Sequence, residues 1–266
     1  MKKGIYTCLF VLFLFSCTKV ISPRLESDAG QLDIEANITN LDTAQQIFLR
    51  TNVPFSATNT YPSVSGATVT VSDDAGNNYV FAEENQPGVY VSTAFAGVAG
   101  RTYQLHVSLN GQEYFAGSTM PAGVRIDSLT DKNRPLNRPQ DGRDQKVVSV
   151  YYQDPPGIAN QYRFLEWVNG VQVNSVFTYD DQLTDGRYVT LDLLEQDIDI
   201  YAGDTVRVEM QCIDKPVYTY WFALESQQAN NFNGAVAPAN PPTNISPQTL
   251  GYFSAHTTQT LTVVVK

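Results

Sequence analysis

Few residues in this chain have side chains suited to catalysis. Two histidines and three cysteines are all it offers for imidazole, thiolate or transition-metal work. His106 lies in a stretch where Tyr103, Leu105, Val107 and Leu109 share one strand face, so period two turns it to the opposite, solvated side. His256 follows Tyr252 and Phe253 near the end, and neither histidine reads as a catalytic base. There is no Gly-x-Ser-x-Gly elbow, no His-Glu-x-x-His and no glycine-rich phosphate loop. No catalytic residue is assigned, and the chain reads as a non-enzyme. The remote alternative is a hydrolase whose carboxylates gather in one cleft, about 5–9 Å apart.

Hard oxygen donors are better represented. Asp73-Asp74-Ala-Gly-Asn-Asn78 and the run holding Asp180, Asp181 and Asp185 set several carboxylates in short loops, as calcium prefers. Neither loop has EF-hand spacing, and Asp, Asn and Gly are also ordinary turn residues. The metal assignment is therefore none, with these five aspartates as calcium candidates. No cofactor is expected beyond acyl chains. Fifteen Tyr and 13 Phe against two Trp suit recognition of sugars or peptides as well as strand cores. Tyr218-Thr-Tyr-Trp-Phe222 is the densest aromatic run, and helix packing accounts for Trp221; the ligand itself stays unknown.

The N-terminus carries the strongest signal. Lys2 and Lys3 precede the apolar run Ile5–Phe15, which is too short for the ~20 residues that span a bilayer. Leu14-Phe15-Ser16-Cys17 resembles a bacterial lipobox, in which Cys17 is acylated, with palmitate among the chains, and becomes the first residue. The other reading is an ordinary secretory signal with Cys17 incidental. Cys8 leaves with the signal in either case. Cys212, inside Val206-Arg-Val-Glu-Met-Gln-Cys-Ile213, reads as a buried strand residue, so no internal disulfide is expected. The formal charge is −10, and every Asp and Glu lies beyond Cys17. Such a body has no basic face for nucleic acid and no electrostatic hold on an anionic membrane. The lipid alone must anchor it, which takes two or more chains.

The elements that position these residues are mostly strands. Leu32–Ile38, Gln46–Arg50, Ala67–Val71, Tyr79–Phe81, Gly88–Val91, Tyr103–Leu109 and Gln112–Ala116 suit an immunoglobulin-like β-sandwich over 31–121. Asn110-Gly111 and Asn169-Gly170 predict type I′ turns. Residues 122–146, charged and rich in proline, read as a linker or long loop, and strands resume over 147–266 as a second sandwich-like domain. There the period changes once. Val217, Tyr220, Trp221 and Leu224 share a helical face, Asp214 is a candidate N-cap, and a helix is expected over about 215–230. With 1–16 as signal peptide and 17–30 as tether, the expected fold is mainly β, two sandwiches with one helix in the second.

Several motifs in fixed order resemble a known family. Gly66–Val71, Gly88-Val-Tyr90, Gly100–Val107, Tyr114–Thr119 with Pro121, Asp180–Gly186 and Leu250–Ala255 are similar to the Bacteroidetes lipoproteins catalogued as domain of unknown function 4249. The resemblance spans roughly residues 30–266. It implies an outer-membrane lipoprotein of the cell envelope, on the periplasmic or the surface face, often encoded beside a TonB-dependent transporter. It supplies no catalytic residue. The leading expectation is a non-enzymatic accessory or ligand-capturing partner of such a transporter. The alternative is a free-standing surface adhesin or a glycan- or peptide-binding module.

Overall fold

Residues 29–54, 57, 60–84, 86–135, 142–230 and 239–266 are described by the computed structural model. Cys17, the 1–16 signal segment and residues 17–28 of the expected tether lie outside them. In chain order the strands of the first half are β1 (Leu32–Thr39), β2 (Thr43–Thr51), β3 (Thr68–Asp73), β4 (Asn78–Glu83), β5 (Val89–Phe95), β6 (Thr102–Leu109) and β7 (Gln112–Thr119). Then come β8 (Ile126–Asn133), β9 (Lys146–Gln153), β10 (Gln161–Val168), β11 (Val171–Gln172), β12 (Phe177–Asp180), β13 (Tyr188–Leu193) and β14 (Thr205–Ile213). Helix α1 (Lys215–Asn230), β15 (Ile245–Ser246) and β16 (Leu250–Val264) complete the order.

Alternation builds the first core. β1 buries Leu32, Ile34, Ala36 and Ile38 while Asp33, Glu35 and Asn37 face outward. Tyr103, Leu105 and Val107 of β6 and Val69 and Val71 of β3 fill the same cluster. The Asn-Gly turns form as their chemistry requires. Asn110 and Asn169 have φ of 52° and 51°, and each following glycine is also positive. A second core lies between the sheet face carrying Tyr162, Phe164, Val206, Val208 and Met210 and a three-stranded sheet ordered β13-β9-β8. The architecture is mainly β and sandwich-like, as expected.

The division into halves differs from the sequence reading in two places. Within 122–146, residues Ile126–Asn133 form β8, paired antiparallel with β9. That edge strand buries only Ile126, so it carries almost no apolar period. Its charges are held by ion pairs, Lys132 to Asp192 at 2.7 Å and Asp131 to Lys146 at 3.8 Å. The second difference is β16, which belongs to both halves. Residues 250–256 lie parallel to β1, and residues 257–264 lie antiparallel to β14. One 13-stranded sheet therefore runs through the molecule. Covered on both faces, β16 is buried continuously from Gly251 to Thr257.

Helix α1 starts where Asp214 caps it. Asp214 Oδ1 accepts from Val217 N at 3.2 Å, and Oδ2 accepts from Ser118 Oγ and Thr119 N. The cap thereby ties the helix to β7. The helix lies on the β10–β16 side of the sheet, with Val217 and Tyr218 buried and Tyr220 and Trp221 packed against Tyr252.

Candidate functional site

The two predicted acidic loops behave differently. Asp73, its side chain fully buried, accepts from Ala75 N, Asn77 N and Nδ2, Tyr79 Oη, and Arg101 Nη1 at 2.7 Å. Burial raises its pKa, but the Asn77, Arg101 and Ala75 hydrogen bonds outweigh that and lower it to about 2. Asp74 accepts from Thr102 N. This is turn chemistry, with the charge already met by Arg101. In the second loop Asp180 turns to the helix, 3.9 Å from Lys215 Nζ. Asp181 and Asp185 instead converge with Asp154, each offering an oxygen within 4.8 Å of the others. Asp154 is fully buried and accepts from Tyr162 Oη and Gly186 N, Asp181 accepts from Asn160 N, and Asp185 accepts from Gly157 N. The cluster thus gathers the 154–160 and 181–187 loops, and its donor set is of the kind that suits a hard cation. Asp154 escaped the sequence reading; an acid at a strand end before Pro155-Pro156-Gly157 was the available signal.

His106 and Cys212 are placed as expected, and the structure adds the position of His256. His106 is on the outer face, stacked on Phe115 and bonded to Glu113. His256 is buried in β16 with Nδ1 against Ser254 Oγ, and burial next to Arg163 lowers its pKa to about 3, so it is neutral. Cys212 Sγ accepts from Val124 N, and burial raises the thiol's pKa.

One acid breaks the inner face of β10. Glu166 alternates with Tyr162, Phe164 and Val168, is fully buried, and neither carboxyl oxygen has a hydrogen-bond partner among the described residues. Burial, with Glu195 and Asp197 near, raises its pKa to about 8. Glu195 is also fully buried, and burial raises its pKa to about 7 against the pull of Arg134, whose Nη1 lies 2.8 and 3.2 Å from its oxygens. Arg134 makes Glu195 the member of the pair that ionises first and Glu166 the one that holds its proton longer. The interruption of an apolar alternation by Glu166 was legible in the sequence and was missed.

A cleft lies between α1, the 174–179 segment and the end of β13. It measures about 620 Å³, within the size range of small-ligand sites. Phe177, Tyr179 and Leu194 give it apolar surface, and Asn174, Asp197 and Glu225 give it polar groups. Internal hydrogen bonds fix those groups. Gln228 Oε1 accepts from Val176 N, and its Nε2 donates to Asn174 O. Asp197 accepts from Asn174 N and Nδ2, and Glu225 accepts from Thr178 N. Burial raises the Glu225 pKa against the pull of Thr178. The arrangement can hydrogen-bond hydroxyl or peptide groups and offer aromatic faces for stacking. Nothing in the sequence marked this cleft, because its walls come from three separated segments. Among the aromatics read from sequence, Trp221 packs in the helix layer, Phe222 and Tyr61 are half exposed, and Phe95 stacks on Tyr79 at 3.8 Å.

A family model described as a domain of unknown function, DUF4249, matches residues 18–262. No curated protein matches the chain. Among solved structures, a segment of two fibronectin type-III domains from chicken tenascin is similar at 12% identity, covering 69% of this chain and 90% of that one with a TM-score of 0.22. At that score the sandwich assignment rests on the strand pairing alone.

Proposed function

The chain belongs to the DUF4249 family, and from that membership we propose a lipid-anchored envelope protein that captures a ligand and works beside a TonB-dependent outer-membrane transporter. The cleft beside α1 carries this reading, since it combines a small-ligand volume with polar groups held in place before any ligand arrives. Support for the anchor comes from Lys2, Lys3, the apolar run to Phe15 and Cys17. An acidic body repelled by anionic lipid needs such an anchor to stay at a membrane. The role is binding, with the ligand drawn from peptides or glycans.

The test has two arms. Cells expressing the chain are fed labelled palmitate and fractionated, alongside Cys17→Ala. Label and membrane association should both depend on Cys17; membrane association that persists in Cys17→Ala refutes the anchor. Affinity capture from solubilised outer membranes should recover a transporter. Repeated capture without one refutes the partnership and leaves the free-standing adhesin.

A further inference from the structure

Beside the cleft, and sharing Asn174, Ser175 and Val176 with it, lies a second cavity of about 360 Å³ whose walls include Arg163, Gln172 and Trp221. Arg163 is an unusual wall for a chain of this charge. Its guanidinium lies over the Trp221 ring at 3.4 Å, Nη1 reaches Gln211 Oε1 at 3.3 Å, and it bonds the Tyr252 hydroxyl. No carboxylate lies within ion-pair distance of it among the described residues. Two acids act on it from beyond ion-pair distance: Glu35, itself 3.7 Å from Arg50, and Glu209, which the Gln211 amide bridges to the guanidinium. Five N–H donors in a planar fork are thus held by neutral groups that orient them and satisfy only part of them. Trp221 presents its ring face to Arg163; its Nε1–H is buried away from the cavity and has no acceptor among the described residues.

We infer that the Arg163–Trp221 cavity binds the carboxylate of a ligand. A carboxylate matches the guanidinium fork with two parallel hydrogen bonds and supplies the direct ion pair that Glu35 and Glu209 do not make. The shared 174–176 wall sets this anion subsite next to the polar and aromatic cleft, so one ligand can place its acid in the cavity and its body in the cleft. The assignment rests on the capture reading above and narrows it to acidic ligands. A uronic acid sugar and a peptide C-terminus carry the same group.

The full chain carrying Trp167→Phe, which leaves Trp221 as its one tryptophan, is titrated with glucuronate and with acetyl-diglycine while indole fluorescence is followed. Glucuronamide and acetyl-diglycine amide are the neutral controls. A saturable change with at least one acid, and about tenfold weaker binding in Arg163→Gln, is expected. Which acid binds more tightly identifies the sugar or the peptide source. Equal response to the neutral controls, no saturable response to either acid, or unchanged affinity in Arg163→Gln overturns the inference. Should Arg163→Gln fail to fold by circular dichroism, Arg163→Lys takes its place, because it keeps the charge and loses the fork. Affinity should then fall several-fold, and unchanged affinity overturns the inference. Its failure with palmitate labelling and transporter capture intact removes only the acid, whereas loss of those two with carboxylate binding intact removes the anchored role.

Discussion

Replacing Glu166 by leucine should make the protein more stable, and more so in alkali. The carboxyl sits among Phe164, Val168 and the rest of the second core, with no hydrogen bond to lose. Its pKa moves from 4.5 when exposed to about 8 when folded. The folded chain therefore holds this proton more tightly than the unfolded one. Below the unfolded value both states are protonated and the group costs nothing through ionisation. As pH climbs, the unfolded chain ionises first and stability falls by about 1.4 kcal/mol per pH unit, until the folded carboxyl ionises too. The full span sets a ceiling of about 5 kcal/mol, and water entry and side-chain relaxation should reduce it to about 2–3 kcal/mol. Urea unfolding at about pH 5 and about pH 8.5 measures it, since the midpoint and slope give the free energy at each pH. Glu166→Leu should gain little at the lower pH and about 2–3 kcal/mol at the higher. Parallel pH curves for the two proteins would show that Glu166 does not titrate in this window. A variant less stable than the parent at the higher pH would show that the carboxylate has a partner that pays for its burial. Either result refutes the reasoning.

Asp73 should act in the opposite direction. With its folded pKa lowered to about 2, its stabilising contribution is present above the ordinary value of 3.8 and is lost as pH falls towards 2, and Asp73→Asn should flatten the acid limb of a thermal-melt profile. An unchanged limb would mean that the Arg101 contact is not held. Asp214→Ala should cost about 2–3 kcal/mol in urea unfolding, since it removes the cap of α1 and the tie to Ser118 together, while Asp214→Asn should keep most of it. Equal losses in the two variants would argue that charge, not hydrogen bonding, matters there. Gly251→Ala should lower the melting temperature by about 10 °C or more or prevent folding, because Gly251 has φ +90° and an added Cβ would collide with the Ile34 carbonyl of β1. A melting temperature within about 2 °C of the parent would show that the β1–β16 pairing can shift.

Sequence alone determined what local physics determines. Alternation in Leu32–Ile38 and Tyr103–Leu109 committed those segments to strands, because one sheet face is dry and the other wet. Asn110-Gly111 and Asn169-Gly170 specified their turns, since two successive positive φ angles suit few other pairs. Asp214 and the spacing of Val217, Tyr220 and Trp221 set the helix over Lys215–Asn230. Whatever depended on distant segments meeting was decided by the tertiary structure. β8 has too little buried surface to show a period, and its pairing with β9 alone makes it a strand. The polar stretch His256–Thr260 splits the apolar pattern of the last segment in two, yet β16 is one continuous strand whose halves serve different neighbours, a matter of topology that no local pattern encodes. Asp154 joins Asp181 and Asp185 across a loop, and Arg163 meets Trp221 across the helix–sheet layer. Burial and partnership set the chemistry of such groups, and both exist only once the chain has closed on itself.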